Sequence, residues 1–566
     1  MTLTFKDYAY SRPDTETFSR EFEEVIARFQ AAQSLDEQVE ANREYNRLYG
    51  AFATQAVLVN IRHSIDTNDE FYQTEKAFMD ENIPLIQKME AAYHRVLTAS
   101  KFRPELEKLW GTQLFRLADA SSRAFAPEII EELQLENKLS TEYQMLIAAA
   151  KIPFEGEERT LMQLMPFELS TDRDMRRRAS EARYGYMAEH EADFDRIYDE
   201  LVKVRTRMAH KLGYPSFVGM GYDRMKRTDF DARMVANFRK QVLEEIVPAA
   251  ARLRKRQEER IEVDKLRYYD LDFGFPTGNA VPQGNADWIV QRGEEMYAEM
   301  SPETEEFFRF MRENELMDLV SKKGKAGGGY CTVLFDYKAP FIFSNFNGTS
   351  ADIDVLTHEA GHAFQDYRSR NYENLAYCMP TLESAEIHSM SMEFFAWPWM
   401  ERFFGKDTDK YLFKHLESAL QFIPYGVSVD EFQHFVYANP DATPEERKAA
   451  WRALEKKYLP HLDYDGSDYL ERGGFWHKQS HIFTAPFYYI DYTLAQICAF
   501  QFWKRSREDF DAAWKDYVHL CGLGGSLSFT HLVREAGLIS PFEDGCVSSV
   551  IGTIEEWLDG VDDKRL

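Results

Sequence analysis

Cysteine is scarce in this chain: five residues, at 331, 378, 498, 521 and 546, odd in number, scattered, and without a Cys-x-x-Cys pair. That excludes a disulfide framework and a thiolate metal ribbon, and it suits a reducing compartment. Positive charge is in deficit, with 68 basic against 95 acidic residues and a formal net charge of -27. A surface of that balance repels nucleic acid and anionic lipid, so neither is expected as a partner. Basic runs such as Arg176 to Arg178 are interleaved with carboxylates and read as solvated helix faces. Long apolar runs are missing too, and the segment from Met1 to Tyr8 has no basic stretch leading into an apolar core. No membrane association and no secretory leader are expected, and the cytoplasm is the expected location.

What is present is ordinary globular material in quantity: 566 residues, 44% hydrophobic and 29% charged. That length supports an extensive core and more than one lobe. Phe18, Phe22, Val25, Ile26 and Phe29 recur at helical spacing, as do Leu85, Ile86, Met89, Tyr93, Val96 and Leu97. An N-terminal helical lobe over 1–195 and a catalytic lobe over 196–566 are the expected division. Pro84 is expected to start or kink a helix rather than sit inside one. Thr443-Pro444-Glu445-Glu446 combines an N-cap, an N1 proline and an N3 glutamate, which is a strong helix start. The one clear β region is Tyr330 to Phe335 with Phe341 to Phe343, read as a small antiparallel pair.

His358-Glu359-Ala360-Gly361-His362 carries the chemistry. Histidines four apart lie one turn above each other on one helix face, so both imidazoles reach one ion while the glutamate between them faces its water. Upstream, Asn347-Gly348-Thr349-Ser350 is a turn ending on a good N-cap, so a helix should begin near Ser350. Asp352 and Asp354 then complement the macrodipole, and Ile353, Leu356, Gly361 and Phe364 form its packing face.

An open tetrahedral zinc site needs a third protein ligand. Pro380-Thr381 begins a second helix that runs from Leu382 until Pro398 interrupts it, and that helix carries Glu383, Glu386 and Glu393. Enough chain separates Glu386 from His362 for the second helix to return antiparallel beside the first. Glu386 is the expected third ligand, with Glu383 and Cys378 as alternatives. Ser389 and Glu393 share its face, and one of them, with Glu393 preferred, should orient a liganding imidazole.

His358-Glu-x-x-His362 followed by Glu386-x-x-Ser389-x-x-x-Glu393 resembles the signature of the thimet oligopeptidase and oligoendopeptidase F family of zinc metallopeptidases, most strongly from about Gly327 to Tyr492. The resemblance implies one Zn2+ per chain on His358, His362 and Glu386, with Glu359 as general base. It also implies a mostly α fold, a closed helical ellipsoid with a deep channel that admits short peptides and excludes folded proteins.

A second constellation runs from Phe475 to Tyr492. Peptide hydrolysis needs donors aimed at the oxyanion, and His481 with one of Tyr488, Tyr489 or Tyr492 is expected to supply them. The family has a histidine followed by spaced tyrosines here; this chain departs from the thimet branch in placing Pro486 five residues after His481. His477 also lies four residues from His481, but no carboxylate stands between them. Gly327, Gly328 and Gly329 with Tyr330 form either a peptide-binding sheet edge, where main-chain hydrogen bonds hold an extended substrate, or a surface loop. The cluster Gly522, Gly524 and Gly525 lacks a phosphate-loop lysine and reads as a turn or hinge.

The expected function is zinc-dependent hydrolysis of internal bonds in short unstructured peptides. Two other readings stay open: a metallocarboxypeptidase on the same ligands, and a helical binding protein with a structural zinc. Sequence does not separate zinc from another divalent ion.

Overall fold

The computed structural model describes residues 3–566 and is mostly helical. Three long helices, Thr15–Ala31, Leu35–Ile65 and Glu70–Thr98, pack together with Gln113–Arg123 around a core of their own. The helical spacing explains that core, because Phe18, Phe22, Val25 and Phe29 meet Tyr45, Phe52, Ile86, Met89 and Tyr93. Asp14, Ser34 and Asp69 cap the three helices by accepting backbone N–H bonds. The backbone of the third stays helical across position 84, where a start or kink was expected.

The rest of the chain shares a second, larger core. One helix, Glu191–Lys211, runs through position 195. Thr443 caps Pro444–Tyr458 with the expected capping box. A small hairpin pairs β1 (Ile152–Phe154) with β2 (Glu157–Arg159).

A sheet of β3 (Met317–Val320), β4 (Tyr330–Leu334) and β5 (Ala339–Phe346) lies against the helix that carries the paired histidines. Its order is β3-β5-β4, so β4 is an edge strand. β4 and β5 are antiparallel as expected, with Tyr330 opposite Phe343 and Leu334 opposite Ala339. The sheet is mixed rather than antiparallel throughout, because β3 joins β5 in parallel. Four residues with a single buried position, Leu319, give no alternation to read, so β3 had no signal in the sequence. β5 is buried at seven of its eight positions, as a central strand requires.

Candidate active site

The histidine helix spans Ala351–Ser369 and the second helix Leu382–Phe395, and they pack side by side. Ile353, Leu356 and Phe364 are buried. Gly361 is where the helices touch: a Cβ there would stand 2.6 Å from both the His388 carbonyl oxygen and the Ser389 Cα. Only glycine permits that approach, and the approach brings Glu386 to the histidines. The start of the histidine helix differs from the expected N-cap. Ser350 makes no side-chain cap, and Asp352 instead accepts the backbone N–H groups of Asn347 at 2.9 Å and Gly348 at 2.7 Å. Asp354 accepts from the Tyr411 hydroxyl at 2.5 Å, and burial pushes its carboxyl up to about 6.

His358, His362 and Glu386 present ligand atoms that all lie within 4.8 Å of one another. Oε2 of Glu386 is 3.4 Å from Nε2 of His358 and 3.6 Å from Nε2 of His362. Ligands about 2.0–2.1 Å from a tetrahedral ion stand roughly 3.3–3.4 Å apart, so the donor set fits a zinc-sized cation with one position left for water. Ser389 donates to Oε2 of Glu386 and Tyr488 to Oε1, both at 2.9 Å. Burial alone would raise the Glu386 carboxyl, but the two imidazoles hold it well below the usual range.

Glu393 bonds Nδ1 of His358 at 2.7 Å through Oε1 and Nε2 of His415 at 2.8 Å through Oε2. The Trp397 indole N–H donates to Nδ1 of His415 at 3.3 Å. That contact makes Nε2 the protonated nitrogen of neutral His415, so His415 donates to Glu393 and leaves its other oxygen to hold His358 with Nε2 toward the metal position. Of the two residues expected to orient an imidazole, Glu393 hydrogen-bonds His358, whereas Ser389 donates to Glu386.

Glu359 is 8% exposed, and its Oε2 has no hydrogen-bond partner. Burial raises its carboxyl, which makes it a better proton acceptor. Its Oε1 lies 3.7 Å from where a Cβ on Gly329 would be. Gly329 precedes the edge strand directly, Gly328 turns with φ +87°, and Gly327 has no neighbour within 4 Å of a built Cβ. The Tyr330 ring stacks on Phe343 at 4.9 Å, which leaves its backbone as the part facing the edge.

His481 sits in the short helix Ser480–Thr484, and its ring lies 5.7, 5.0 and 5.9 Å from those of Tyr488, Tyr489 and Tyr492. Burial lowers its pKa against the opposing pull of Glu386, and Gln479 bonds its Nδ1 at 2.8 Å. The Tyr488 and Tyr492 rings lie 4.9 Å apart and are tilted by 44°, while Tyr489 lies among Phe422 and Tyr425. The turn before Tyr488 is strained: Phe487 has φ +67° although fully buried. Gln433 accepts its N–H at 2.8 Å and buried Arg227 donates to its carbonyl, so both polar groups of the strained residue are held.

Several expected alternatives fall elsewhere. Glu383 faces Thr381 and Asp491 rather than the histidines. Cys378 is buried, and burial pushes its thiol up to about 12. His477 is locked in the core between the Tyr469 hydroxyl at 2.8 Å and Asp195 at 3.2 Å. Gly525 donates its N–H to the Tyr377 carbonyl at 2.9 Å, so the glycine cluster braces the loop ahead of the Glu386 helix. His415, Arg227 and Gln433 had no local signal, because each reaches the site from another stretch of chain, and Trp397, four residues after Glu393, acts only through His415.

A cavity of about 680 Å³ opens beside His358 and Glu393. A larger one of about 1060 Å³, between Phe5–Tyr10 and β3, contains none of these side chains.

A helical scaffold that brings two imidazoles and a carboxylate around one point, with a glutamate carrying an unused oxygen on the same helix, has the layout of a metallopeptidase. The chain belongs to peptidase family M3: residues 291–550 match the description Peptidase family M3 and residues 5–125 the Peptidase M3 N-terminal domain. Among solved structures it is similar to PZ peptidase A with an inhibitor, at 62% identity and TM-score 0.95, over 99% of this chain and 100% of that one. It is also similar to an oligoendopeptidase F from Bacillus anthracis str. Ames, at 56% identity and TM-score 0.91 over the full length of both chains. The chromosomal oligoendopeptidase F of Lactococcus lactis subsp. cremoris is 23% identical over 224 residues, which span 40% of this chain and 36% of that relative.

Proposed function

We propose that this peptidase is a zinc-dependent endopeptidase that cuts internal bonds of short, unstructured oligopeptides. The observation that carries the reading is the position of one Glu386 oxygen, 3.4 and 3.6 Å from the two imidazole nitrogens, beside a Glu359 carboxylate with an unused oxygen. A zinc ion held by His358, His362 and Glu386 supplies a Lewis acid for the scissile carbonyl and makes water a nucleophile near neutral pH.

The chain's own residues do the rest. Glu359 takes the proton of the attacking water and passes it to the leaving amine. His481 and the Tyr492 hydroxyl stabilise the oxyanion, and Tyr488 joins them by turning its one hydroxyl proton from Glu386 to the oxyanion; the packing of Tyr489 against Phe422 and Tyr425 makes it the least suited of the three. The open edge of β4, from Gly327 to Tyr330, binds the substrate backbone as an added strand, with little demand on side chains. Glu393 acts through His358 by fixing its ring. The free cysteines fit a cytoplasmic enzyme, and no helix among the described residues is long and apolar enough to cross a membrane.

Mass spectrometry of a mixed peptide library after incubation with the purified protein tests the proposal. The expected result is internal cleavage of short peptides, including those blocked at the C-terminus, lost on chelation and restored by added zinc. Cleavage indifferent to chelator, or removal of C-terminal residues alone, would refute it.

A further inference from the structure

Beyond His358, the wall of the 680 Å³ cavity changes character. Tyr184, Tyr268, Phe422 and Phe475 line it together with two cations, Arg254 and Lys478. Neither cation has a carboxylate oxygen within 4 Å among the described residues. Arg254 donates to the Gln257 side chain at 2.8 Å and the Leu271 carbonyl at 2.7 Å, and its Nε has no acceptor. Lys478 reaches only the Tyr184 hydroxyl, at 3.4 Å, with its ammonium 3.8 Å from the Phe475 ring centroid.

The other charges on this wall are engaged, with one exception. Lys414 pairs with Glu417 at 3.2 Å, Glu393 bonds His358 and His415, and Asp354 accepts from Tyr411. Only Asp272 is a carboxylate without a bond, and it is exposed. Unused hydrogen-bonding capacity is skewed the same way. Among buried polar atoms of this wall without a partner, three are donor nitrogens, on Arg254, Gln421 and Gln496, one is His461 Nδ1, which donates or accepts according to tautomer, and one is the Asn279 oxygen.

An unpaired cation beside aromatic rings in a partly desolvated cavity calls for an anion. Burial pushes the Lys478 ammonium down to about 8, and an incoming carboxylate would relieve that cost. With Arg254, Lys414 and Lys478 against Asp272, Asp354 and Glu393 the lining is formally neutral, so its preference for an anion rests on Lys478 and Arg254, which no carboxylate contacts directly.

We propose that this cavity is a carboxylate-recognising subsite, in which Lys478 and Arg254 receive a carboxylate of the bound peptide, from its chain end or from an acidic side chain, while the aromatic wall takes the neighbouring apolar group. The inference rests on the peptidase reading of the adjoining metal site. It makes Lys478 and Arg254 specificity residues, separate from the groups that act on the scissile bond.

A neutral nonapeptide tests it in three forms: free C-terminal acid, C-terminal amide, and amide with one internal glutamate placed in turn at each position. At least one carboxylate-bearing form is expected to exceed the plain amide by about tenfold in kcat/KM, mainly through KM. The form that gains identifies the source of the carboxylate. Lys478→Met should bring the ratio near one, Lys478→Glu should invert it, and Lys478→Arg should keep it, which guards against a folding defect in the first two. Equal cleavage of all three forms by the unaltered enzyme, or a ratio that survives Lys478→Glu, would overturn the subsite alone. Cleavage of none would overturn the endopeptidase reading as well.

Discussion

At the residue scale, the proposed site separates groups placed to hold a metal from a group placed to move a proton. Glu359 has one oxygen without a bond and no share in the ligand set, so its loss should leave the ligands intact. Glu359→Gln is expected to keep zinc at one per chain by elemental analysis and to lose on the order of 10²–10⁴-fold in kcat. Retained turnover would remove Glu359 as the base. Glu383 behaves differently. Burial and the nearby Asp491 push its carboxyl up to about 8, so between pH 4.5 and 8 the folded chain keeps a proton that the unfolded chain has released. Stability from this group is therefore complete below pH 4.5 and declines as the pH rises through 8. Glutamine carries no such proton, so Glu383→Gln should melt a few degrees above the parent at pH 8 and level with it at pH 4, by calorimetry. An equal shift at both values would sink the assignment. His358, Glu359, His362, Glu386 and Glu393 were legible in the sequence because helical spacing sets which of them share a face. His415 was not, since its bond to Glu393 depends on how Thr408–Ala438, a separate helix, is placed by the rest of the fold.

At the scale of elements, two close approaches matter, one helix on another at Gly361 and one strand edge beside Glu359 at Gly329. The second is open to test, because a Cβ at Gly329 would meet the Phe343 carbonyl at 3.4 Å and Glu359 at 3.7 Å, which are ordinary contacts. Gly329→Val should therefore fold normally, and its branched side chain should crowd the edge and raise KM severalfold with little change in melting temperature. Unchanged KM would argue that substrate lies elsewhere. The sequence showed both metal helices and the β4-β5 pair through capping, periodicity and β-branched runs. It missed β3, where four residues pair in parallel with β5 although β4 intervenes in the chain, and the third helix continues through position 84, where a helix start or kink was expected.

At the scale of the whole molecule, the N-terminal helices hold the loop that joins the two metal helices. Tyr377 lies in their core, accepting from the Leu114 N–H at 2.9 Å and donating to the Trp110 carbonyl at 2.8 Å. Asn42 donates to Asn374 at 2.7 Å, and Asn46 accepts the Leu375 N–H at 2.9 Å. Tyr377→Phe removes both hydroxyl bonds from a buried site and should cost about 1–3 kcal/mol, with faster hydrogen exchange across residues 371–381. Protection unchanged over that loop would show that the N-terminal helices do not secure it. No local pattern in the sequence could have revealed this clasp, because its partners lie more than 260 residues apart.

The hydroxyl that rests on Glu386 comes from Tyr488, 102 residues later in the chain. A ribosome feeding this polypeptide out at about 5–20 residues per second therefore presents His358, His362 and Glu386 some seconds before the tyrosine that steadies one of them. For that interval Glu386 waits without the hydroxyl that fixes its Oε1, and the site takes its final form only when the later stretch of chain folds back.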